Sequence, residues 1–215
     1  MSKKKKQTKN KSLDNRAFIA GLFGATDSGK STRADELIAI LKPSRTIIWD
    51  FKREYTDVDK QFSRAGDLFN YIQSKGKRGR FRVSFIPSMD KSVREKQFEA
   101  VNHIVLSFGR MLYLVEELKF VTKPNSSPGS WSMLTLTGRA QEISIIGTSQ
   151  RPASVDKDFF GNCTIVHSRR LNYDPDIVEM AKALRIRREQ MARLKGHDYY
   201  ERNNVTGKLE EKIFK

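Results

Sequence analysis

The sequence predicts an α/β fold in which helices flank a mainly parallel central sheet that ends in a C-terminal antiparallel edge hairpin. Three observations predict this class. Short apolar runs of strand length alternate with segments whose apolar residues recur at helical spacing. A glycine-containing segment, residues 24–31, joins the first apolar run to the first helical segment. Near the end, a hairpin is indicated by the turn residues Asn203–Gly207, which lie between two segments of strand length, 197–202 and 208–214.

Apolar runs bounded by turn residues predict the remaining strands. The predicted strands cover residues 18–23, 45–50, 82–86, 111–115, 143–149 and 164–168. Helical periodicity predicts helices over 32–41, 65–73, 91–109, 130–139 and 175–194. Pro43 follows the first helix as a stop signal. The segment 119–130 is rich in Pro, Ser and Gly, so we expect a mobile loop there.

Charge is the main compositional signal. The chain has 215 residues, with 41 Lys and Arg against 25 Asp and Glu, a net charge of +16. This length suits one domain, which we expect over residues 15–215. Residues 1–14 carry six lysines and are expected to form a disordered basic arm. The lysines of the arm supply only part of the excess charge, so we expect a polyanionic partner, nucleic acid before membrane.

Several function classes are disfavoured by what the sequence lacks. There is no run of 18 apolar residues, so no transmembrane helix is expected. The first residues include no apolar segment of the secretory-signal type, which favours a protein that is not secreted by a signal peptide. Cys163 is the single cysteine and lies in an apolar stretch, where a buried structural thiol is expected. The three histidines are too scattered for a metal cluster.

Residues 24–31 read Gly-Ala-Thr-Asp-Ser-Gly-Lys-Ser, a full match to the phosphate-binding P-loop. Its glycines let backbone N–H groups turn toward phosphates, and the following helix N-terminus adds partial positive charge. Lys30 is predicted to reach the β- and γ-phosphates of ATP, and the Ser31 hydroxyl to bind Mg²⁺. The predicted nucleotide-binding residues are Gly24, Ala25, Thr26, Asp27, Ser28, Gly29, Lys30, Ser31 and Thr32. The fold class is thereby narrowed to a P-loop NTPase.

Two glutamates follow the apolar run Leu112–Val115, about 85 residues after the P-loop, in the Walker B pattern. Glu116 is predicted to bind the metal, directly or through water, and Glu117 to polarise the water that attacks the γ-phosphate. An apolar strand ending in two acids is common by itself, so the assignment depends on the P-loop. Gln150 ends the strand 143–149, where its amide could donate to phosphate and accept from water.

Taken together, these residues resemble the FtsK–HerA superfamily of DNA-pumping ATPases. The resemblance covers roughly residues 16–170 and rests on four stretches: 24–32, 47–55, 112–117, and Gly138-Arg139 followed by 145–152. The compact size is similar to the genome-packaging ATPases of tailless, membrane-containing icosahedral viruses. Glu116 stands where the family usually has Asp, and Phe51 and Arg53 replace the family's Pro and Gly.

The resemblance implies a homo-oligomeric ring, of about five or six subunits. It also implies that an arginine from a neighbouring subunit completes each site by stabilising charge on the transferred phosphoryl group. Arg139 matches the family position, and Arg169 and Arg170 are the alternates. Capsid vertex or portal proteins are further expected partners, with a location in the host cytoplasm or on the virion.

Double-stranded DNA is the expected substrate of such a motor, held through its phosphates by basic loops. Two loops are candidates, and their predicted DNA-binding residues are Lys75, Lys77, Arg78 and Arg80 in the first and Lys119 and Lys123 in the second. The predicted function is therefore an ATP-hydrolysing motor that packages a viral genome into a preformed capsid.

Two other functions fit parts of the sequence. The first alternative is a small-molecule kinase of the nucleoside or nucleotide type, in which the basic segment 74–82 would form a lid over the donor phosphates. The second alternative is a basic, non-enzymatic DNA-binding protein with a vestigial nucleotide site. The presence of Lys30, Ser31, Glu116 and Glu117 together argues against the vestigial site.

Overall fold

A single sheet of nine strands organises the computed structural model, which describes residues 17–214. The strands are β1 (Ile19–Phe23), β2 (Arg45–Trp49), β3 (Lys60–Phe62), β4 (Phe81–Phe85), β5 (Met111–Val115), β6 (Ile143–Ser149), β7 (Ile165–Arg169), β8 (Tyr199–Asn203) and β9 (Leu209–Lys212). Their order is β3-β4-β2-β5-β6-β1-β7-β8-β9. Neighbours from β3 to β7 are parallel, whereas β8 and β9 are antiparallel to their neighbours. The predicted α/β class with a C-terminal antiparallel hairpin is confirmed.

Helices cover both faces of this sheet. They are α1 (Lys30–Leu41), α2 (Ala65–Lys75), α3 (Lys91–Phe108), α4 (Gly129–Thr137), α5 (Lys157–Asn162), α6 (Asp174–Leu184) and α7 (Arg188–Ala192). Within residues 17–214, none of the helices combines the length and apolar character that crossing a bilayer requires. The basic arm expected over 1–14 lies outside the described residues.

Three elements differ from the sequence prediction. The helix predicted over 175–194 is two helices, because Arg185 takes a left-handed conformation with φ of 55°. The turn is closed by the N–H of Ile186 on the carbonyl of Ala181, which brings the Ile186 side chain against the core. The short elements β3 and α5 were not predicted, since three to six residues are too few to show a period.

The core is divided by the sheet, and β1 shows how. Ile19 and Phe23 pack in the larger cluster, whereas Ala20 and Leu22 face the smaller one with α1. On the larger side, a chain of aromatic contacts with ring centroids 5.1 to 5.5 Å apart joins strands to helices. It runs through Phe85, Trp49, Phe98, Trp131 and Phe159. These contacts hold β2 and β4 against α3, α4 and α5.

Strand order determines which loops meet. Strand β6 lies between β1 and β5, so the segments after these three strands share the carboxyl edge of the parallel sheet. This is the edge where open parallel sheets bind ligands. The segment 76–80 connects α2 to the start of β4 and therefore lies at the opposite edge.

Candidate functional site

The backbone between β1 and α1 forms a tight loop that depends on its glycines. Gly24 and Gly29 have φ of 154° and 93°. A Cβ on Gly24 would lie 2.5 Å from the Ser28 hydroxyl oxygen and 2.8 Å from the Arg169 Cβ. Gly29 adopts the left-handed conformation directly before the first residue of α1. The loop therefore turns back on itself in the manner that a phosphate cradle requires.

Lys30 lies across this loop. Its Nζ donates to the carbonyl oxygens of Gly24 and Ala25, both at 2.8 Å, and the residue is 8% exposed. Burial lowers the pKa of Lys30 to about 8, although the nearby Glu117 and Glu116 carboxylates oppose the shift. An incoming phosphate would supply the negative charge that this buried ammonium lacks. Ser31 and Thr32 are exposed in the first turn of α1, next to the same cradle.

Two buried carboxylates follow β5. Glu116 and Glu117 are 3% and 2% exposed. Burial raises the pKa of Glu116 to about 7, against the opposing charge of Lys52. Glu117 has φ of 50° and ψ of 55°, a left-handed conformation that costs a non-glycine residue on the order of 1 kcal/mol. This backbone strain is found at the residue that the sequence singles out as the catalytic carboxylate.

Gln150 connects the P-loop to Glu117. Its amide nitrogen donates to Glu117 Oε1 at 2.9 Å, and its amide oxygen accepts from the Thr26 hydroxyl at 3.1 Å. The position follows from topology, because Gln150 ends the strand that lies between β1 and β5. The structure thus brings together Thr26, Lys30, Glu117 and Gln150 from three separate loops.

The carboxylate of Glu117 also faces two lysines. Lys52 Nζ lies 3.6 Å from Oε1, and Lys119 Nζ lies 3.7 Å from Oε2. Lys52 follows β2, within the stretch 47–55 that carries part of the family resemblance, and the sequence predicts no role for it. Its proximity to Glu117 depends on β2 pairing with β5.

Asp50, the acid that ends the second predicted strand, has a structural role. It is fully buried, and its two carboxylate oxygens accept from the backbone N–H groups of Glu54 and Tyr55 at 2.9 and 3.2 Å. Among residues 17–214, no group of three or more His, Cys, Asp or Glu residues is arranged to hold a metal. A Mg²⁺ ion here would depend on Ser31, Glu116 and the phosphates of the nucleotide, which is how Mg²⁺ is often held.

The arginines lie in two different places. Arg139 is exposed in the turn between α4 and β6, at the amino end of β6. Since β6 has seven residues, that turn is about 20 Å from the edge that carries Gln150. Arg139 therefore does not reach the nucleotide loop of its own chain.

Arg169 and Arg170, the alternates, contact their own P-loop. Arg170 donates to the carbonyl of Thr26 at 3.2 Å and accepts the N–H of Ala25 on its own carbonyl at 2.9 Å. Arg169 is buried, lies over the ring of Tyr199 at 5.0 Å and donates to the carbonyl of His197. The Arg170 guanidinium is thus directed at the chain's own loop, and the Arg169 guanidinium carbon would lie 3.4 Å from a Cβ on Gly29 of that loop.

The two basic loops also separate. Lys75, Lys77, Arg78 and Arg80 are exposed at the edge opposite the P-loop. Lys119 and Lys123 follow β5 directly and lie on the same edge as Glu117. The mobility of the segment 119–130 stays a prediction. The described segment contains a short helical turn at Leu118–Phe120 and a reciprocal backbone pair between Lys123 and Ser126.

An ion-pair network supports the helix that carries the P-loop lysine. Arg33 of α1 donates two hydrogen bonds to Glu201 of β8, at 2.6 and 2.7 Å. Nδ1 of the buried His167 lies 2.9 Å from the same carboxylate. Burial opposes ionisation of Glu201, but the hydrogen bonds from His167 and Arg33 outweigh it and lower its pKa to about 2. The C-terminal hairpin therefore braces α1.

Comparisons with known proteins agree with this topology. No family profile matches the sequence, and no curated protein matches it. Among solved structures, the genome-packaging NTPase B204 from Sulfolobus turreted icosahedral virus 2, in complex with ATP-gammaS, is similar with a TM-score of 0.69 and 14% identity. The match covers 92% of this chain and 97% of that one.

Two further structures are similar over most of their length. B204, the DNA-packaging ATPase from Sulfolobus turreted icosahedral virus, has a TM-score of 0.67 and 13% identity, covering 93% of this chain and 98% of that one. VirB4 of Thermoanaerobacter pseudethanolicus has a TM-score of 0.60 and 13% identity, covering 91% and 89%. At these identities the likeness establishes the architecture. The chain therefore has the fold of these packaging ATPases and of VirB4.

Proposed function

We propose that this protein is an ATP-hydrolysing motor that moves double-stranded DNA. The observation that carries the proposal is the placement of Gln150, which bonds to Thr26 of the P-loop and to Glu117 of Walker B. A chance glycine-rich turn would not be joined to a buried carboxylate from another strand. The arrangement suits a group that detects the γ-phosphate and controls the base beside it.

Each residue of the site has a distinct part in the proposed hydrolysis. Lys30 leaves its loop carbonyls to bind the β- and γ-phosphates, whose negative charge stabilises the buried ammonium. Glu117 orients the attacking water and accepts its proton. Ser31 and, directly or through water, Glu116 would hold Mg²⁺, which would supply positive charge next to the phosphates.

Translocation and genome packaging are the finer part of the proposal. The net charge of +16 favours a polyanionic substrate, and two of the similar structures are packaging enzymes of icosahedral viruses. By analogy, the protein would load duplex DNA into a preformed capsid and act in the host cytoplasm or on the virion. Capsid vertex or portal proteins would then be its docking partners.

A ring of about five or six identical subunits is proposed with Arg139 as the finger that one subunit offers to the next. The distance between Arg139 and its own P-loop fits a residue that acts across an interface. Met133 and Leu136, on the preceding turns of α4, are 55% and 65% exposed. A neighbouring subunit would bury the apolar surface of these side chains beside Arg139.

The kinase alternative is weaker on geometric grounds. Its lid would have to be the basic segment 74–82, but this segment precedes β4 at the edge opposite the P-loop. A lid over donor phosphates must lie on the same edge as the phosphates. No other observation favours a small-molecule acceptor.

One assay tests the proposal against its alternatives. ATP hydrolysis is measured with the protein alone, with duplex DNA, and with candidate nucleoside acceptors. The motor predicts hydrolysis that duplex DNA stimulates. Transfer of phosphate to an acceptor would instead support the kinase, and no turnover under any condition would support the non-enzymatic DNA-binding protein.

A further inference from the structure

The two oxygens of the Glu117 carboxylate have different partners. Oε1 accepts from Gln150 at 2.9 Å and lies 3.6 Å from Lys52 Nζ. Oε2 is buried and accepts no hydrogen bond from residues 17–214, so its charge is balanced by Lys119 Nζ at 3.7 Å. A general base in this state is held between its two counter-ions. Whatever removes Lys119 would free Oε2.

Lys52 and Lys119 lie on different sides of Glu117. Lys52 is on the nucleotide side, because it faces Oε1, the oxygen that accepts from Gln150, and Gln150 in turn bonds to Thr26 of the P-loop. Lys119 lies on the outer side and lines a cavity of about 560 Å³ between the start of α3 and the segment 119–128. The charged residues that line this cavity are Lys91, Arg94, Lys96, Lys119 and Lys123, with Glu95 and Glu99. The cation excess favours an anion.

The backbone beside Lys119 is fixed while its side chain is accessible. The ring of Phe120 stacks on Phe51 with centroids 4.4 Å apart. Arg94 lies over both rings, at 5.7 and 5.6 Å, and donates to the Phe120 carbonyl at 3.5 Å. The Lys119 side chain is 23% exposed, in contrast to the 3% of Glu117. Lys119 can therefore exchange one anionic partner for another by rotating its side chain.

We propose that Lys119 couples DNA binding to ATP hydrolysis. Without DNA, Lys119 pairs with Glu117 Oε2 and restrains the base. When a backbone phosphate of duplex DNA enters the basic cavity, Lys119 pairs with it and releases Oε2, which then accepts the proton of the attacking water. Lys119 is thus a positioning residue that acts through Glu117. This inference rests on the proposed function, since it concerns the DNA that the motor would move.

The exchange is favourable for a simple reason. Glu117 offers Lys119 one carboxylate oxygen at 3.7 Å, longer than a charge-assisted hydrogen bond of about 2.8 Å. A phosphate in the cavity would meet Lys119 together with its neighbouring cations, and its binding would release counter-ions from the DNA.

The test compares Lys119→Met with wild type. Met is unbranched like Lys but removes the ammonium, whose nitrogen lies 4.8 Å from the centre of the Phe120 ring. We expect the DNA-free ATPase rate to rise roughly threefold, the scale of losing one partly exposed ion pair. At saturating duplex DNA the variant should show little further stimulation. Lys119→Arg should restore both the low basal rate and the response to DNA, and it provides a second variant if Met impairs folding.

Lys157→Met is the matched control, since it removes a lysine from an ion pair with Glu179, at 2.6 Å, and neither residue lines the cavity. It should keep the wild-type basal rate and stimulation. The inference is overturned if Lys119→Met retains both the wild-type basal rate and wild-type stimulation, or if its basal rate falls. In either case DNA-stimulated wild-type activity would leave the proposed function standing. A wild-type protein that hydrolyses ATP without responding to duplex DNA refutes coupling as well as translocation, and one without turnover refutes hydrolysis itself.

Discussion

Replacing Glu201 with Gln should destabilise the protein in a way that depends on pH. Glu201 accepts two hydrogen bonds from Arg33 and contacts His167, and its pKa falls from 4.5 to about 2. Because a tenfold change in an acid constant corresponds to about 1.4 kcal/mol, the ionised carboxylate contributes about 3 kcal/mol at neutral pH. This figure is large beside the roughly 5 to 15 kcal/mol of a whole domain.

The sign of the pH dependence follows from the lowered pKa. A carboxylate whose pKa is depressed by folding stabilises the native state above its unfolded value of 4.5, and the stabilisation is lost as pH falls toward 2. The difference in unfolding free energy between wild type and Glu201→Gln should therefore shrink from about 3 kcal/mol at pH 7 to about 1.5 kcal/mol near pH 3.

Urea unfolding at a series of pH values measures this difference, and Glu36→Gln is the matched control. Glu36 pairs with the same Arg33 at 2.8 Å, but its side chain is 54% exposed. Its loss should cost less than about 0.5 kcal/mol at any pH. If Glu201→Gln costs no more than Glu36→Gln, or if its cost does not change with pH, the network does not brace α1 as described.

The remaining predictions concern the site and the DNA contacts. Lys30→Ala should reduce ATP hydrolysis at least ~100-fold while the fold persists, and normal turnover would refute the P-loop assignment. Arg139→Ala should bind ATP without hydrolysing it, and mixing with Lys30→Ala subunits should restore some activity; mixed rings without rescue would count against a finger at Arg139. Neutralising Lys77, Arg78 and Arg80 should lower DNA affinity. The slope of log affinity against log salt concentration should become less steep by about 0.9 for each phosphate contact that is lost. An unchanged slope would show that this loop makes no contact with the DNA phosphates.

The sequence predicted the fold well because its signals are local. The central strands β1 and β5 are apolar runs, and the P-loop glycines report backbone conformations directly, as the φ of 93° at Gly29 shows. The break at Arg185 was missed because Ile186 continues an apolar pattern although the helix has ended. Local periodicity cannot distinguish a longer helix from a turn that returns an apolar side chain to the core.

The site was predicted only in part, because its contacts depend on strand order. Lys30, Glu117 and Gln150 each belong to a recognisable motif or strand end. That Gln150 would bond to both Thr26 and Glu117 required β6 to lie between β1 and β5. The same holds for Lys52, which comes near Glu117 through the pairing of β2 with β5.

Non-local pairing also decides the roles of the charged residues. Thirty-one per cent of the chain is charged, so composition alone could not single out Glu201 as the partner of Arg33, 168 residues away. Nor could it separate the two basic loops, which the topology places at opposite edges of the sheet.

The central claim is that Glu117 is the base of an ATP-hydrolysing site, and one paired measurement tests it most directly. Glu117→Gln keeps the size of the side chain and its capacity to bond with Gln150, but it cannot accept a proton. Binding of ATP and its hydrolysis are measured on the same preparation, with Glu116→Gln alongside. The account predicts that Glu117→Gln binds ATP and does not turn it over. Turnover at the wild-type rate by Glu117→Gln, with loss of turnover in Glu116→Gln, would contradict it.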